Sequence, residues 1–409
     1  MSERGSEEVG YRIERDAEEQ ARIEFQALET ARSLAAEFSA RLSEREARDR
    51  LPFEAIERLK HSGLSTAGIA VSRGGLGLGW PALCRVVREV AAGDGSVGAV
   101  LGYHLMQTFH LRREPTPRWH ALERRIAEQR LWLAGVVNPR DDDVLARTQG
   151  DGFVLDGRKH FCTGSGFADL LTFSVKHRDT QQAGFALLPV DREGITLGGD
   201  WDAIGLERSE SGSVGLEGVY AGADELVFER DDPRGRFVTT IRGPVNQSLF
   251  TNFYIGFAVG ALRATKRFIH HSSRPWLHSD APTASEDVLI RTQFGELWVM
   301  LESMIALADR AAERMAELLA AGEAYTPEQR GEAAAAVAIA KAHATRGGLD
   351  ICTRVFELMG ARATHNRYGF DRFWRDIRTH TLHDPVAYKL LEIGDYALND
   401  RYVEGSAYR

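Results

Sequence analysis

Two histidines, His380 and His383, stand three residues apart in Arg378-Thr-His-Thr-Leu-His-Asp-Pro385. Histidine takes up and releases protons near neutral pH, its unperturbed pKa being ~6.5. Asp384 follows His383 directly and can fix its tautomer, and Pro385 precedes a helix. The plain alternative for His383 is a helix-capping histidine at the surface. A third histidine, His104, lies in Gly102-Tyr-His-Leu105 of an apolar helix, where a satisfied core histidine is the default. Arg274 carries a planar guanidinium suited to phosphate, against the alternative of an ordinary surface arginine. Asn138 can donate and accept hydrogen bonds, or simply serve a turn before Pro139. The cysteines Cys84, Cys162 and Cys352 are far apart and show no CxxC spacing. A zinc site and a disulfide framework are therefore not expected, and a reducing cytoplasm fits.

These residues must be positioned by 409 residues, enough for two or three packed units. The formal net charge of −8 argues against nucleic acid as the main partner. No apolar run approaches the ~20 residues of a membrane span, so no membrane partner is expected. The pattern is helical over about 16–130, with breaks at Ser62-Gly63 and at the loop Ser72–Gly79. It changes to short β-type runs over about 131–240, read as an antiparallel β domain with a hairpin at Asp156-Gly157. It returns to helices over 241–409. There Phe294, Leu297, Leu301, Met304, Ala308, Ala311, Met315 and Leu318 step by threes and fours, a seam for helix packing and subunit contact. The glycines from Gly74 to Gly79 follow no strand of a βαβ unit, so a dinucleotide fingerprint fails its context and a flexible loop near a pocket is expected.

The order of helices, sheet and helical bundle resembles the acyl-CoA dehydrogenase superfamily over nearly the whole chain. Gly74-Gly75-Leu76-Gly77, Lys159-His-Phe-Cys-Thr163 and Ala168-Asp169 are similar to that family's motifs. Three longer stretches resemble its flavin-dependent monooxygenases, the dibenzothiophene and sulfur-acquisition group. They are Asp371 through Lys389, Arg274-Pro-Trp-Leu-His-Ser279 and Gly199-Asp-Trp-Asp-Ala-Ile-Gly205. The resemblance implies an α+β, mostly α fold with a C-terminal four-helix bundle. It also implies a two-component enzyme that takes reduced flavin from a separate reductase. With O2 this flavin gives a C4a-hydroperoxyflavin, which oxygenates sulfur, nitrogen or an aromatic ring of a small substrate.

Site roles follow from the resemblance. His383 is the expected proton donor, with His104 and Thr163 as further catalytic residues and His380 behind His383. Phe161, Thr163, Asn138 and Trp201 are expected around the flavin ring. Arg274 reaches flavin bound to a neighbouring subunit of a homotetramer, and Gly360 and Arg362 serve its phosphate end. Met359-Gly-Ala-Arg-Ala-Thr364 keeps Gly360 but lacks the dehydrogenases' next close-approach glycine, which fits FMN while leaving FAD open. The segment that corresponds to the dehydrogenases' glutamate base, Arg378–Asp384, has histidines and no glutamate, and no acid stands near Tyr254–Ala261 as an alternative base. An acyl-CoA dehydrogenase-type oxidoreductase, or a non-catalytic flavin or acyl-ligand binding relative, is the competing reading.

Overall fold

The computed structural model describes residues 15–42, 50–111, 117–141, 143–230 and 232–405. The N-terminal helices are α1 (Ala17–Arg41), α2 (Phe53–Ser62), α3 (Trp80–Gly93), α4 (Gly95–Leu111) and α5 (Pro117–Gln129). Asp16 caps α1 by accepting from the Glu19 N–H, and Pro52 sits just before α2. α3 and α4 are joined at Asp94, whose carboxylate accepts from the Val97 N–H. Almost every residue of both helices is buried, because α3 packs between α1 and the long helix Arg242–His271, which also covers α4.

Strands β1 (Leu133–Val136), β2 (Val144–Gln149), β3 (Gly152–Lys159), β4 (Leu170–His177), β5 (Ala183–Pro189), β6 (Ile195–Leu197), β7 (Val214–Gly222) and β8 (Leu226–Phe228) form one sheet in the order β6-β7-β3-β2-β4-β5-β8. Most pairs are antiparallel, but β4 pairs with both β1 and β2 in parallel, so the sheet is mixed. The hairpin expected at Asp156-Gly157 is not there. β3 runs through it with a bulge, and the Asp156 carboxylate accepts from the Gly218 N–H across the sheet. The two-residue turn lies one strand end earlier, at Gly150-Asp151, where Gly150 has φ 61°.

The C-terminal region holds α6 (Pro233–Thr239), α7 (Arg242–His271), α8 (Val288–Ala320), α9 (Pro327–Met359), α10 (Asp371–His380) and α11 (Val386–Asn399). The seam read on α8 is its buried stripe, from Leu297 through Leu318, with Phe294 partly buried at its start. The glycine loop before α3 is tied down rather than loose. The N–H groups of Leu76, Gly77 and Leu78 donate to the carbonyls of Thr66, Ile69 and Ala67. Among the described residues no helix is long and apolar enough to cross a membrane.

Candidate functional site

α10 is one face of the site. Asp376 and His380 lie one turn apart on it, so both point to the same side. His380 is buried between two tyrosines, with the Tyr103 hydroxyl 3.1 Å from Nε2 and the Tyr254 hydroxyl 3.1 Å from Nδ1. Tyr254 also donates to the His380 carbonyl at 3.1 Å. Its single proton is used there, so Nδ1–H donates to Tyr254 and Nε2 accepts from Tyr103. Burial holds His380 well below the usual histidine range, which keeps it neutral. Phe250 and Phe253 pack edge-on around the ring.

His383 stacks over His380, their ring centroids 5.7 Å apart and nearly parallel at 8°. Its Nδ1 is 3.4 Å from Asp384 Oδ1, and its side chain is one-third exposed, at 33%. Asp384 also binds the Nζ of Lys341, a lysine buried on α9 that donates to Gln247 Oε1 as well. Burial pushes the Asp384 carboxyl up, but His383 and the Lys341 ammonium outweigh it and hold the group well below the usual carboxylate range. The arrangement is a buried cation, a fixed carboxylate and a partly open imidazole, in line from the core toward the surface. Such a line can hold or release a proton at His383.

His104 does not join this cluster. Its Nδ1 accepts from the Leu133 N–H at 2.9 Å, so Nε2 carries the proton and donates to the Ser65 carbonyl at 2.7 Å. The ring stacks on Trp132 at 4.3 Å, and burial lowers its pKa to about 4. Both nitrogens are committed to backbone, one to β1 and the other to the turn after α2, the satisfied core histidine of the sequence reading. The preceding residue, Tyr103, is the one that faces His380.

The second face comes from the sheet. Phe161 is 67% exposed and has φ 58°, an uncommon conformation for an aromatic residue. Trp201 meets it edge-on at 6.0 Å. Beside them a row of buried hydroxyls runs from Ser209 to Ser211 at 2.7 Å, and Ser211 donates to Thr163 at 2.9 Å. Thr163 therefore keeps its own hydroxyl hydrogen to donate. Asn138 makes the simpler use of its side chain, accepting from the Arg140 N–H at 3.2 Å, while its carbonyl accepts from buried Lys159 at 2.9 Å. Cys162 is buried with its thiol pushed up to about 12, which leaves it unreactive.

The two faces are locked together. Trp201 Nε1 donates to the Leu206 carbonyl at 2.8 Å, and the Leu206 N–H donates to Asp376 at 2.7 Å. Arg375 donates to the Ile204 carbonyl at 2.7 Å, so the loop bearing Trp201 lies directly on α10. Burial pushes the Asp376 carboxyl up to about 7. On α4, Val100 and Tyr103 share a face. Val100 lies 3.3 Å from where a Cβ on Gly164 would stand, next to Thr163, and Tyr103 touches His380.

The basic residues stand apart. Gly360 ends α9 with φ 72°, and Arg362 donates to the Ser272 carbonyl at 2.9 Å, bracing the segment that bears Arg274. Arg274 is exposed and makes no hydrogen bond or ion pair among the described residues. This corner is separated from Lys341 by the rest of α9, roughly 27 Å of helix at ~1.5 Å per residue. Within one chain it does not meet His383.

Sequence reasoning missed Tyr103, Tyr254, Lys341, Ser211 and Asp376. A usable signal existed for Lys341. It lies on the apolar stripe Val337, Lys341, Ala344, Gly348, Ile351 of α9, where an unpaired lysine would be costly.

Family models for the acyl-CoA dehydrogenase N-terminal and C-terminal domains match residues 22–114 and 248–387. The chain is 38% identical over 388 residues to a dibenzothiophene monooxygenase of Rhodococcus erythropolis, covering 91% of this chain and 93% of that one. It is 36% identical to a probable FMNH2-dependent monooxygenase, SfnC, of Pseudomonas putida, covering 93% and 97%. The crystal structure of FMN-bound TdsC from Paenibacillus sp. A11-2 superimposes with a TM-score of 0.88 at 35% identity, covering 94% of this chain and all of that one (100%).

Proposed function

The chain belongs to the acyl-CoA dehydrogenase family, among its flavin-dependent monooxygenases, and from that premise we propose that it oxygenates a small organosulfur compound with reduced FMN supplied by a separate reductase. Reduced FMN, when bound, supplies the two electrons with which one atom of O2 goes to water and the other to substrate. The residues present fit that group. Exposed Phe161 and half-buried Trp201 offer aromatic surface for a planar ring, and Thr163 has a hydroxyl hydrogen to give. Trp132 Nε1, near Gly164, is buried with no hydrogen-bond partner among the described residues.

The observation that carries the reading is the His383–Asp384–Lys341 line against the aromatic wall of Phe250, Phe253 and Tyr103. Aromatic walls exclude water and suit a sulfur heterocycle, and a histidine at their edge can take up and return a proton where oxygen transfer needs it. An acyl-CoA dehydrogenase needs a carboxylate base, and Asp384 is held by Lys341 and His383. The reading is tested by incubating the protein with a flavin reductase, NADH, FMN and O2. Dibenzothiophene and simple sulfides should gain oxygen by mass. Absence of any oxygenated product, with reduction of bound flavin by an acyl thioester, would replace it with the dehydrogenase reading.

The assembly proposed is a cytoplasmic homotetramer in which Arg274 reaches the FMN phosphate of a neighbour. Val288, Leu289, Trp298 and Val299 on α8, with Trp276 and Leu277 beside Arg274, leave a large apolar surface exposed in the single chain. Arg274→Ala should weaken FMN binding at least about tenfold, the scale of a lost charge-assisted contact, with an unchanged melting temperature. Fluorescence titration of FMN and sedimentation check this. A monomer with wild-type affinity would rule out the shared site.

A further inference from the structure

The strongest unassigned feature is the buried Lys341. Its side chain is 3% exposed and, among the described residues, its ammonium meets one carboxylate oxygen, Asp384 Oδ1, the same oxygen that faces His383 Nδ1. Gln247 takes a second ammonium proton, and the Phe250 ring lies 5.7 Å away. A lysine is rarely buried without a task, since removing the ammonium from water costs several kcal/mol.

We propose that Lys341 is a positioning residue: the built-in counter-ion that keeps Asp384 ionised and His383 neutral, its proton on Nδ1 and its lone pair on Nε2. The inference rests on the oxygenase reading only in giving His383 a role. The charge argument itself is independent of it. A carboxylate alone beside an imidazole draws a proton onto the pair. A cation on the same carboxylate oxygen cancels that pull, so the pair holds one proton fewer at neutral pH. Asp384 then orients the ring without turning it into a permanent imidazolium.

Several other charged or titratable groups among the described residues stand around the line. From α11, Lys389 and Glu392 pair with each other at 3.0 Å and act on Lys341 with opposite signs. From α10, His380 is neutral and Arg378 acts on Tyr254. Tyr254 from α7 and Tyr103 from α4 bind His380, and Gln247 from α7 is uncharged. Lys341 itself is drawn down to about 8 by burial against the attraction of Asp384. The counter-ion is therefore in place at neutral pH and is lost as pH rises through that value.

The test reads flavin-free protein, so it is answered whether or not the oxygenation assay succeeds. The His383 13Cε1 and Asp384 carboxyl resonances are titrated in wild type, Lys341→Met, Asp384→Asn and the double variant Lys341→Met/Asp384→Asn. In Lys341→Met the pair should take up its proton at a pH at least about one unit higher, the low end for loss of a neighbouring opposite charge. Midpoints that do not move at either group would overturn the proposal. If Lys341→Met does not fold, the neutral double variant decides. Its His383 should take up its proton at a higher pH than in Asp384→Asn alone, because the ammonium that remains in the single variant repels the imidazolium. An equal midpoint would mean that the Lys341 charge does not act on His383, and the assignment fails.

Discussion

Replacing His383 with alanine should lower oxygenated product by ~10²–10⁴-fold, the range for a lost general acid–base group, while FMN binding and oxygen consumption persist. The side chain stands partly open beside the aromatic wall and contributes little packing, so the melting temperature should hardly change. Oxygen that is consumed but not transferred should leave as hydrogen peroxide. A structural role would look different, with a lower melting temperature, weaker FMN binding and a parallel fall of all activities. Product, peroxide and thermal melting are therefore measured on the same variant. Product near the wild-type level, without extra peroxide, would remove His383 from the chemistry and leave Tyr103 and His380 as the proton-holding groups.

Gly205→Ala should be the most damaging single methyl addition at the site. A Cβ on Gly205 would stand 2.1 Å from the Arg375 carbonyl oxygen and 2.6 Å from the Asp376 nitrogen. Those atoms are helix backbone and cannot rotate away, so the loop has to lift from α10. Lifting breaks the Leu206-to-Asp376 and Arg375-to-Ile204 hydrogen bonds and frees Trp201. The expected cost is on the order of 3 kcal/mol, from overpacking together with the lost buried bonds. At this chain length, with an unfolding entropy of ~2.1 cal/mol/K per residue, that lowers the melting temperature by roughly 3–4 °C. FMN affinity should fall with it, and limited proteolysis should cut first within the loop from Gly199 to Gly212. An unchanged melting temperature and intact FMN binding would show that the loop is not held as the structure describes.

The sequence carries the order of elements because helix and strand periodicities are local, and the α8 seam could be read residue by residue. His383 and Asp384 were legible as neighbours in the chain. The rest of the site was not, since its partners meet only through tertiary packing. Tyr103, Tyr254 and His380 come from three helices, and Lys341 arrives from a fourth. The sequence near Tyr254 holds no carboxylate, and nothing in it marks the Tyr254 hydroxyl as a partner of His380. His104 and Asn138 misdirected the reading for a shared reason. A polar side chain in an apolar run announces a hydrogen bond but not its partner, and here the partners are backbone groups. Asp156-Gly157 has the composition of a turn, yet the sheet used it as a bulge, because pairing on both sides outweighed local preference.

α9 carries Lys341 near its middle and ends in the corner of Gly360 and Arg362 that braces the Arg274 segment. In the proposed tetramer each chain would keep its proton-handling histidine and lend its phosphate-binding arginine to a neighbour. A lesion at Arg274 is then expressed in the neighbour's site, and a lesion at His383 in the chain's own. Two defective alleles of opposite kind can thus restore a whole site between them, the pattern geneticists call intragenic complementation.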